Sequence, residues 1–453
     1  MKWHAEVAHL PGGVRHNVLI EAEGGVFTRV TADAERDPGD VVERLPGVVT
    51  PGFANAHSHA FHRALRGRTH TGGGTFWTWR EAMYAVAEQL DPDIYFALAR
   101  ATYAEMALAG VTAVGEFHYL HHGPGGTPYE DPNAMSHALV QAADEAGIRL
   151  TLLDTCYLSG GLDSSGHRPL SGVQTRFGDG DGDGWASRVT AMRDGVSGGP
   201  AHLRLGVAAH SVRAVPRGDL VTVAQVAQAL AAPTGPSAPM HLHLSEQPSE
   251  NEACLAAYGT TPTGLLHAEG LLAPHVSAVH ATHLSAGDIG LLGGAGVTAC
   301  FCPTTERDLA DGIGPAKALL AAGARLSLGS DQHAVIDLIE EARALEMHER
   351  VVSGHRGRLS PDKLMDAATA HASLGWAEAG AIRVGARADL VALRTDSVRT
   401  TGTDPAQILY AATAGDVDTV VVSGRTVVSE GQHVLGDVGA LLRDALQSVL
   451  GGT

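Results

Sequence analysis

The chain has 453 residues, and 32 Lys+Arg against 50 Asp+Glu leave a formal charge of −18, which excludes a general binder of nucleic acid or of anionic membrane surfaces. With 44% hydrophobic and 18% charged residues it can bury a large core, which excludes a disordered chain.

Taken in chain order, residues 1–49 hold short extended runs separated by Gly turns. Eight apolar, β-branched runs then recur: VVTPGFANAHSH, VTAVGEFHYL, RLTLLDTCYL, LRLGVAAHSVR, PMHLHLSEQ, VSAVHATHL, VTACFCPTTE and RLSLGSDQH. Ala/Leu-rich amphipathic stretches lie between them, among them PDIYFALARATYAEMALAG, PNAMSHALVQAADEAG and GPAKALLAAG, most closed by a Gly where a helix C-cap would sit. Nearly continuous apolar strands alternating with helices predict an α/β fold, a buried parallel sheet closed into a (β/α)8, TIM-like barrel over residues 50–380. An open doubly wound sheet is disfavoured, because no Gly-rich phosphate loop follows the first strand.

After the third strand, residues 159–200 read as a Gly/Ser/Asp-rich insertion, expected as a flexible loop over the barrel mouth. Within it Asp179, Asp181, Asp183 and Gly184 imitate the opening of an EF-hand loop. Thr190 stands where a bidentate Glu is required, so a solvated turn is the better reading. Near the C-terminus, RVGARADLVAL and VDTVVVSGRTVVSEGQHV carry valines around Ser423-Gly424 in the pattern of a hairpin. Residues 1–49 and 381–453 are expected to pair into one small β-sandwich domain with a C-terminal helix.

The four cysteines, Cys156, Cys254, Cys300 and Cys302, are too few and too irregular for a disulfide framework or a C-x-x-C zinc ribbon. The opening MKWHAEVAHL lacks the apolar core of a signal peptide, and no apolar run approaches the ~18 residues of a membrane span. A cytoplasmic protein is expected, engaging neither membrane nor nucleic acid, with oligomeric state left open, a homodimer included.

Polar residues gather at the C-terminal ends of the runs: Asn55, His57 and His59 on the first, Glu116, His118 and Tyr119 on the second, Asp154 on the third. His210, His243 with Glu246, His280 and Asp331 close the fourth, fifth, sixth and eighth. In a barrel these ends converge on one face, where active sites of this fold lie. His57 and His59 form H-x-H on a strand, whose period of two aims both imidazoles the same way. With His243, His280 and Asp331 they make a nitrogen and carboxylate donor set suited to Zn2+, with Fe2+ as second choice. Spacing alone does not choose between His241 and His243.

PGFANAHSHAF, HLHLSEQ, VHATHL and LGSDQH resemble the metal-dependent amidohydrolase superfamily over almost the whole chain, including GARADLVAL in the terminal β-domain. NAHSHAFHRALRG, FWTWRE, GEFHYLHH, AAHSVRAV, HLSEQPSENEACL and CPTTERDLADGIG are similar, more narrowly, to the formimidoylglutamate deiminases of histidine degradation. The resemblance implies His57, His59, His243 and Asp331 as metal ligands, with His280 and Glu246 as catalytic groups beside Asp331, and leaves His241 as a buried core residue. His118, His121, His122 and His283 are given loop or supporting roles. Many relatives bridge two metals with a carboxylated lysine at the fourth strand, but this chain has only Lys2, Lys317 and Lys363, none of them there. One ion per chain follows.

The implied reaction converts N-formimino-L-glutamate to N-formyl-L-glutamate and ammonia, with hydroxide formed at the metal attacking the amidine carbon. The substrate is then a small dicarboxylate amidine. In a chain of this charge its two carboxylates require fixed local cations, for which Arg80 and Arg213 are the candidates, joined by Tyr119, His210 and His62. The chain departs from the family pattern at His62, where glutamine is usual. The alternatives are a deaminase of a purine or another amidine, which would call for an aromatic slot, and a non-catalytic scaffold, which would have lost ligands.

Overall fold

A computed structural model of the chain describes residues 1–34, 42–71, 73–196, 199–231 and 237–451. The N-terminal runs form β1 (Lys2–Leu10), β2 (Gly13–Glu23), β3 (Val26–Thr31) and β4 (Glu43–Pro51), followed by β5 (Phe53–Ser58), β6 (Val111–His118) and β7 (Arg149–Cys156). A small hairpin, β8 (Gly161–Asp163) and β9 (Gly166–Arg168), precedes β10 (Leu203–Ala209), β11 (Met240–Leu244), β12 (Val276–His280), β13 (Thr298–Phe301) and β14 (Arg325–Leu328). The last strands are β15 (Leu390–Leu393), β16 (Val417–Val422), β17 (Arg425–Ser429) and β18 (Gln432–His433).

The eight apolar runs close into the expected barrel, in the order β5-β6-β7-β10-β11-β12-β13-β14 with β14 returning to β5, every pair parallel. The helices between them follow the sequence signals. The helix Pro92–Leu108 starts where Asp91 accepts from the Ile94 N–H at 2.8 Å and buries Tyr95, Leu98 and Tyr103. The helix Ala134–Ala146 stops at Gly147, whose φ of 76° is the left-handed cap that other residues resist. Lys317 and Lys363 lie in the helices Ala316–Ala322 and Pro361–Ala368, and Lys2 lies in β1. Among the described residues no helix is long and apolar enough to cross a membrane.

The two termini pair into one continuous sheet, β18-β17-β16-β15-β4-β1-β2-β3, in which β4 is parallel to β1 and antiparallel to β15. The sheet curls onto itself. The Phe27 N–H donates to Ala386 O at 2.8 Å and the Ala388 N–H to Gly25 O at 2.9 Å, enclosing Trp3, Ile20, Phe27, Leu45 and Leu390. The sandwich-like core is thus made by a single sheet. Ser423 and Gly424 turn the β16–β17 hairpin with φ of 49° and 78°, the pair of positive values that a tight hairpin turn needs. Only Gly52 separates β4 from β5, and a Cβ there would lie 2.4 Å from the Thr112 side chain.

The 159–200 insertion differs from its expectation. Its described residues form the β8–β9 hairpin, a short helix Gly172–Arg176 and the helix Gly182–Gly195. The cause is that its polar residues are used internally. Asp181 accepts from the Gly184 N–H at 2.9 Å to cap the helix, and Asp179, expected in a solvated turn, accepts from Arg188 at 2.9 Å and pairs with His122 at 2.9 Å. Arg176 donates to the carbonyls of Ala87, Leu90 and His122. The insertion is thereby pinned to the helix Phe76–Gln89.

Candidate active site

The C-terminal ends of β5 and β14 are locked together before any chemistry is considered. Asn55 Nδ2 donates to Ser330 Oγ at 2.7 Å and the Ser330 N–H returns to Asn55 Oδ1 at 2.9 Å. Beyond them the Asp331 N–H donates to His57 O at 3.0 Å and the His59 N–H to Asp331 O at 3.2 Å. Gly329 is required by this approach, since a Cβ there would lie 2.7 Å from that of His57. Glu116, pushed up to about 7 by burial, accepts from Ser58 Oγ at 2.6 Å and from the Ala60 N–H at 2.7 Å, holding the H-x-H segment from the β6 side. Backbone strain collects here as well: Ser245, His280, Ala281, Asp331 and His333 all have positive φ, a conformation costing about 1 kcal/mol or more for each such residue.

This frame brings His57, His59, His243 and Asp331 together, with one ligand-type atom from each within 4.8 Å of all the others. His57 Nε2 lies 3.2 Å from His243 Nε2 and 3.2 Å from Asp331 Oδ1, which is 3.3 Å from His59 Nε2. The Nδ1–H of His59 donates to Phe117 O at 2.9 Å and that of His243 to His210 O at 3.0 Å. A carbonyl only accepts, so both rings carry their proton on Nδ1 and turn an Nε2 lone pair inward. Burial keeps these rings neutral, pushing His59 down to about 3 and His243 well below its ordinary value. Converging lone pairs and a carboxylate oxygen, all desolvated, repel one another unless a cation sits between them, so the set fits a divalent ion.

A cavity opens over the cluster. Glu246 and His280 lie on one side, with His280 Nε2 3.8 Å from Glu246 Oε1. Burial pushes the Glu246 carboxyl up. Burial opposes a charged His280 ring, but Glu246, Glu306 and Asp331 outweigh it and hold the imidazole well above its ordinary value. Arg80, from the helix Phe76–Gln89, and Arg213, from the segment after β10, line the same cavity. Arg80 has no carboxylate partner among the described residues; its guanidinium lies 5.1 Å from the Trp77 ring and 5.2 Å from that of Tyr84. Arg213 lies beside Glu250, Nε 3.7 Å from its Oε2. Tyr119 and His62 face each other at 2.9 Å, and burial with the neighbouring His59 keeps His62 neutral. His210 packs against Tyr157, ring centroids 4.4 Å apart.

All eleven residues singled out for the site therefore lie at one mouth. The other histidines weighed do not line the cavity: His241 bonds Ser373 O at 3.0 Å, His121 bonds Thr155 O at 2.9 Å, His283 bonds Asp311 O at 2.7 Å, and His118 is buried against His121. Asp154 is taken up by Arg188 and Trp185. Sequence reasoning missed Glu306, whose Oε1 lies 3.5 Å from His280 Nδ1 while accepting the Cys302 N–H at 2.8 Å. It also missed Asp311, which burial and the nearby Glu246 push up to about 9. Both stand in CPTTERDLADGIG just beyond β13, so the signal that found Asp331, an acid after a barrel strand, was available for Glu306. Tyr84, Tyr157 and Phe177 line the cavity too; only Tyr157, next after Cys156 at the end of β7, stands at a strand end as Tyr119 does.

The amidohydrolase family profile matches residues 48–427. A formimidoylglutamate deiminase of Pseudomonas aeruginosa is 37% identical over 445 residues, 95% of this chain and 95% of its own. A 5-methylthioadenosine/S-adenosylhomocysteine deaminase of Pelotomaculum thermopropionicum is 30% identical, covering 91% of this chain and 88% of its own. The crystal structure of an amidohydrolase from Brucella melitensis superposes with a TM-score of 0.89 at 33% identity, over 99% of each chain.

Proposed function

Because the chain belongs to the amidohydrolase family, we propose that it hydrolyses N-formimino-L-glutamate to N-formyl-L-glutamate and ammonia, with one divalent cation per chain, zinc before ferrous iron. His57, His59, His243 and Asp331 would hold the ion. When bound, it supplies Lewis acidity, which brings the pKa of a water from about 15.7 to about 7. Four free, buried thiols favour a reducing, cytoplasmic setting.

The chain's own residues divide the remaining work. Arg80 and Arg213 take the two carboxylates, since guanidinium binds carboxylate bidentately, with Tyr119, His62 and His210 completing the wall. That fixes the cationic formamidinium against Asp331, whose charge suits it, with the Glu246 carboxyl beside it. Asp331 orients the attacking water and takes its proton. His280, held between Glu246 and Glu306, steadies the oxygen added to the carbon through a hydrogen bond. Glu246, protonated more readily because it is buried, passes a proton to the departing nitrogen, and the C–N bond breaks as the added hydroxyl returns its remaining proton to the Glu246 carboxylate and becomes C=O.

The observation that carries this reading is the pair of arginines lining the cavity above the donor cluster, one with no carboxylate partner and one with a single distant contact. Both guanidiniums are half-buried at the cavity wall with little or no carboxylate pairing, and a dianionic substrate supplies a bidentate partner for each. The second reading, a purine deaminase, is favoured by the aromatic walls of Trp79, Tyr119 and Phe177, but a neutral base leaves both guanidiniums unanswered. A scaffold role is disfavoured because no ligand position is lost. The test is product analysis with metal-loaded protein. Equal amounts of ammonia and N-formylglutamate, abolished by a chelator and restored by zinc, are expected. Formamide with free glutamate, or faster turnover of adenosine or guanine, would overturn the assignment.

A further inference from the structure

Gln174 is buried in the insertion between β9 and the helix Gly182–Gly195, and it reaches two tyrosines of the cavity from behind. Its Nε2 lies 3.1 Å from the Tyr84 hydroxyl, 3.3 Å from the Tyr157 hydroxyl and 3.4 Å from Gly160 O. The amide is oriented by its other end, where Oε1 accepts from the Ser171 N–H at 3.3 Å. A backbone N–H only donates and a carbonyl only accepts, so both ends agree that the nitrogen faces the phenols.

The direction of these bonds has a chemical consequence. An amide nitrogen cannot accept a proton, so neither Tyr84 nor Tyr157 can donate towards Gln174. Each phenol proton must go to the other phenol or into the cavity. Two hydroxyls share at most one mutual donation, which leaves at least one O–H for the cavity. Both tyrosines line that cavity beside Arg80, whose guanidinium sits 5.2 Å from the Tyr84 ring. Resting on the dicarboxylate reading above, we propose that the Tyr84–Tyr157 pair, turned outward by Gln174, donates a hydrogen bond to the substrate carboxylate held by Arg80. The tyrosines would be specificity-determining residues, and Gln174 a positioning residue that acts through them.

The test uses full-length, metal-loaded protein and three substrates: N-formimino-L-glutamate and its two analogues lacking the α- or the γ-carboxylate. For the Tyr84→Phe/Tyr157→Phe double variant KM should rise at least about tenfold on the dicarboxylate, with kcat within threefold of wild type, as expected for lost uniform binding. The rise should shrink to less than threefold on one analogue only, the same one on which Arg80→Met loses its effect. Gln174→Glu, whose carboxylate would draw both phenol protons inward, should raise KM more than Gln174→Leu does. An unchanged KM in the double variant overturns the proposal. So does a rise of equal size on both analogues, which a merely structural defect would produce. If the wild-type chain does not turn over N-formimino-L-glutamate, the substrate reading fails separately. The donor pair is then judged by calorimetric binding of glutarate, where tenfold weaker binding in the double variant upholds it and equal binding overturns it.

Discussion

His241 and His243 lie two residues apart on β11, on the same side of the strand. Nε2 of His241, towards the N-terminal end of the barrel, bonds Ser373 O at 3.0 Å, whereas Nε2 of His243 faces Nε2 of His57 at 3.2 Å. The contrast extends around each end. At the N-terminal end Arg149 is buried but forms a two-pronged pair with Asp389, which also accepts the Ser423 N–H at 2.8 Å, and its guanidinium lies 5.1 Å from the Trp376 ring. Thr151 Oγ1 both donates to Leu374 O and accepts from Trp376 Nε1. At the C-terminal end lone pairs face lone pairs, Arg80 has no carboxylate partner among the described residues, and five non-glycine residues are held at positive φ. One end of the barrel spends its buried polarity on joining the terminal sheet, while the other keeps it for something the chain does not contain.

That contrast can be broken most sharply at the ligand cluster. His57→Ala should reduce bound metal from about one equivalent to under a tenth and lower kcat/KM by at least about a thousandfold, while circular dichroism stays native. Metal analysis that finds a second tightly held ion in the wild-type chain, with activity proportional to it, would show the cluster to be misread. At the opposite end Arg149→Met leaves Asp389 buried without its partner, for which about 3–5 kcal/mol of stability is the typical loss. A denaturant titration should record it, with kcat/KM of the folded protein within twofold of wild type. If the activity fell and the midpoint did not, the division between the two ends would be wrong.

Smaller effects sharpen the same line. Arg80→Met and Arg213→Met should each lose at least tenfold in kcat/KM on N-formimino-L-glutamate, from a typical cost of about 2–5 kcal/mol for such a pair, with normal metal content. Near-wild-type values for both would remove the dicarboxylate from consideration. His241→Leu should lose about 1 kcal/mol of stability for its hydrogen bond and still bind one equivalent of metal; loss of the ion would place this histidine in the centre after all.

Much of the architecture was legible because a parallel barrel imposes two patterns at once: strands apolar along their length, and polar residues gathered at one end of each. That is why His57, His59, His243, His280 and Asp331 could be assigned to a common mouth from separate segments. The Gly/Ser/Asp composition of the insertion misled, because Asp179 and Asp181 resemble solvated turn residues until Arg188, His122 and a helix N-terminus claim them. Gln174 and Phe177 could not be found, since nothing local marks a residue that reaches its partners only through the tertiary fold. Tyr84 sits in FWTWREAMYAV, where an aromatic at helical spacing reads as packing.

The pairing of β4 with both β1 and β15 sets a schedule for synthesis. β1 to β4 emerge first, and the edge of β4 that β15 will cover waits while about 340 residues are added. At roughly 5–20 residues per second this is an interval of about 20 to 70 s. During it the nascent chain carries an uncovered strand edge, a template for pairing with other chains, immediately upstream of the segment bearing His57 and His59. The ribosome-bound stage is therefore when this protein is most exposed to misassembly, and slowing elongation between codons 52 and 389 should lower the yield of soluble enzyme without changing the properties of the molecules that fold.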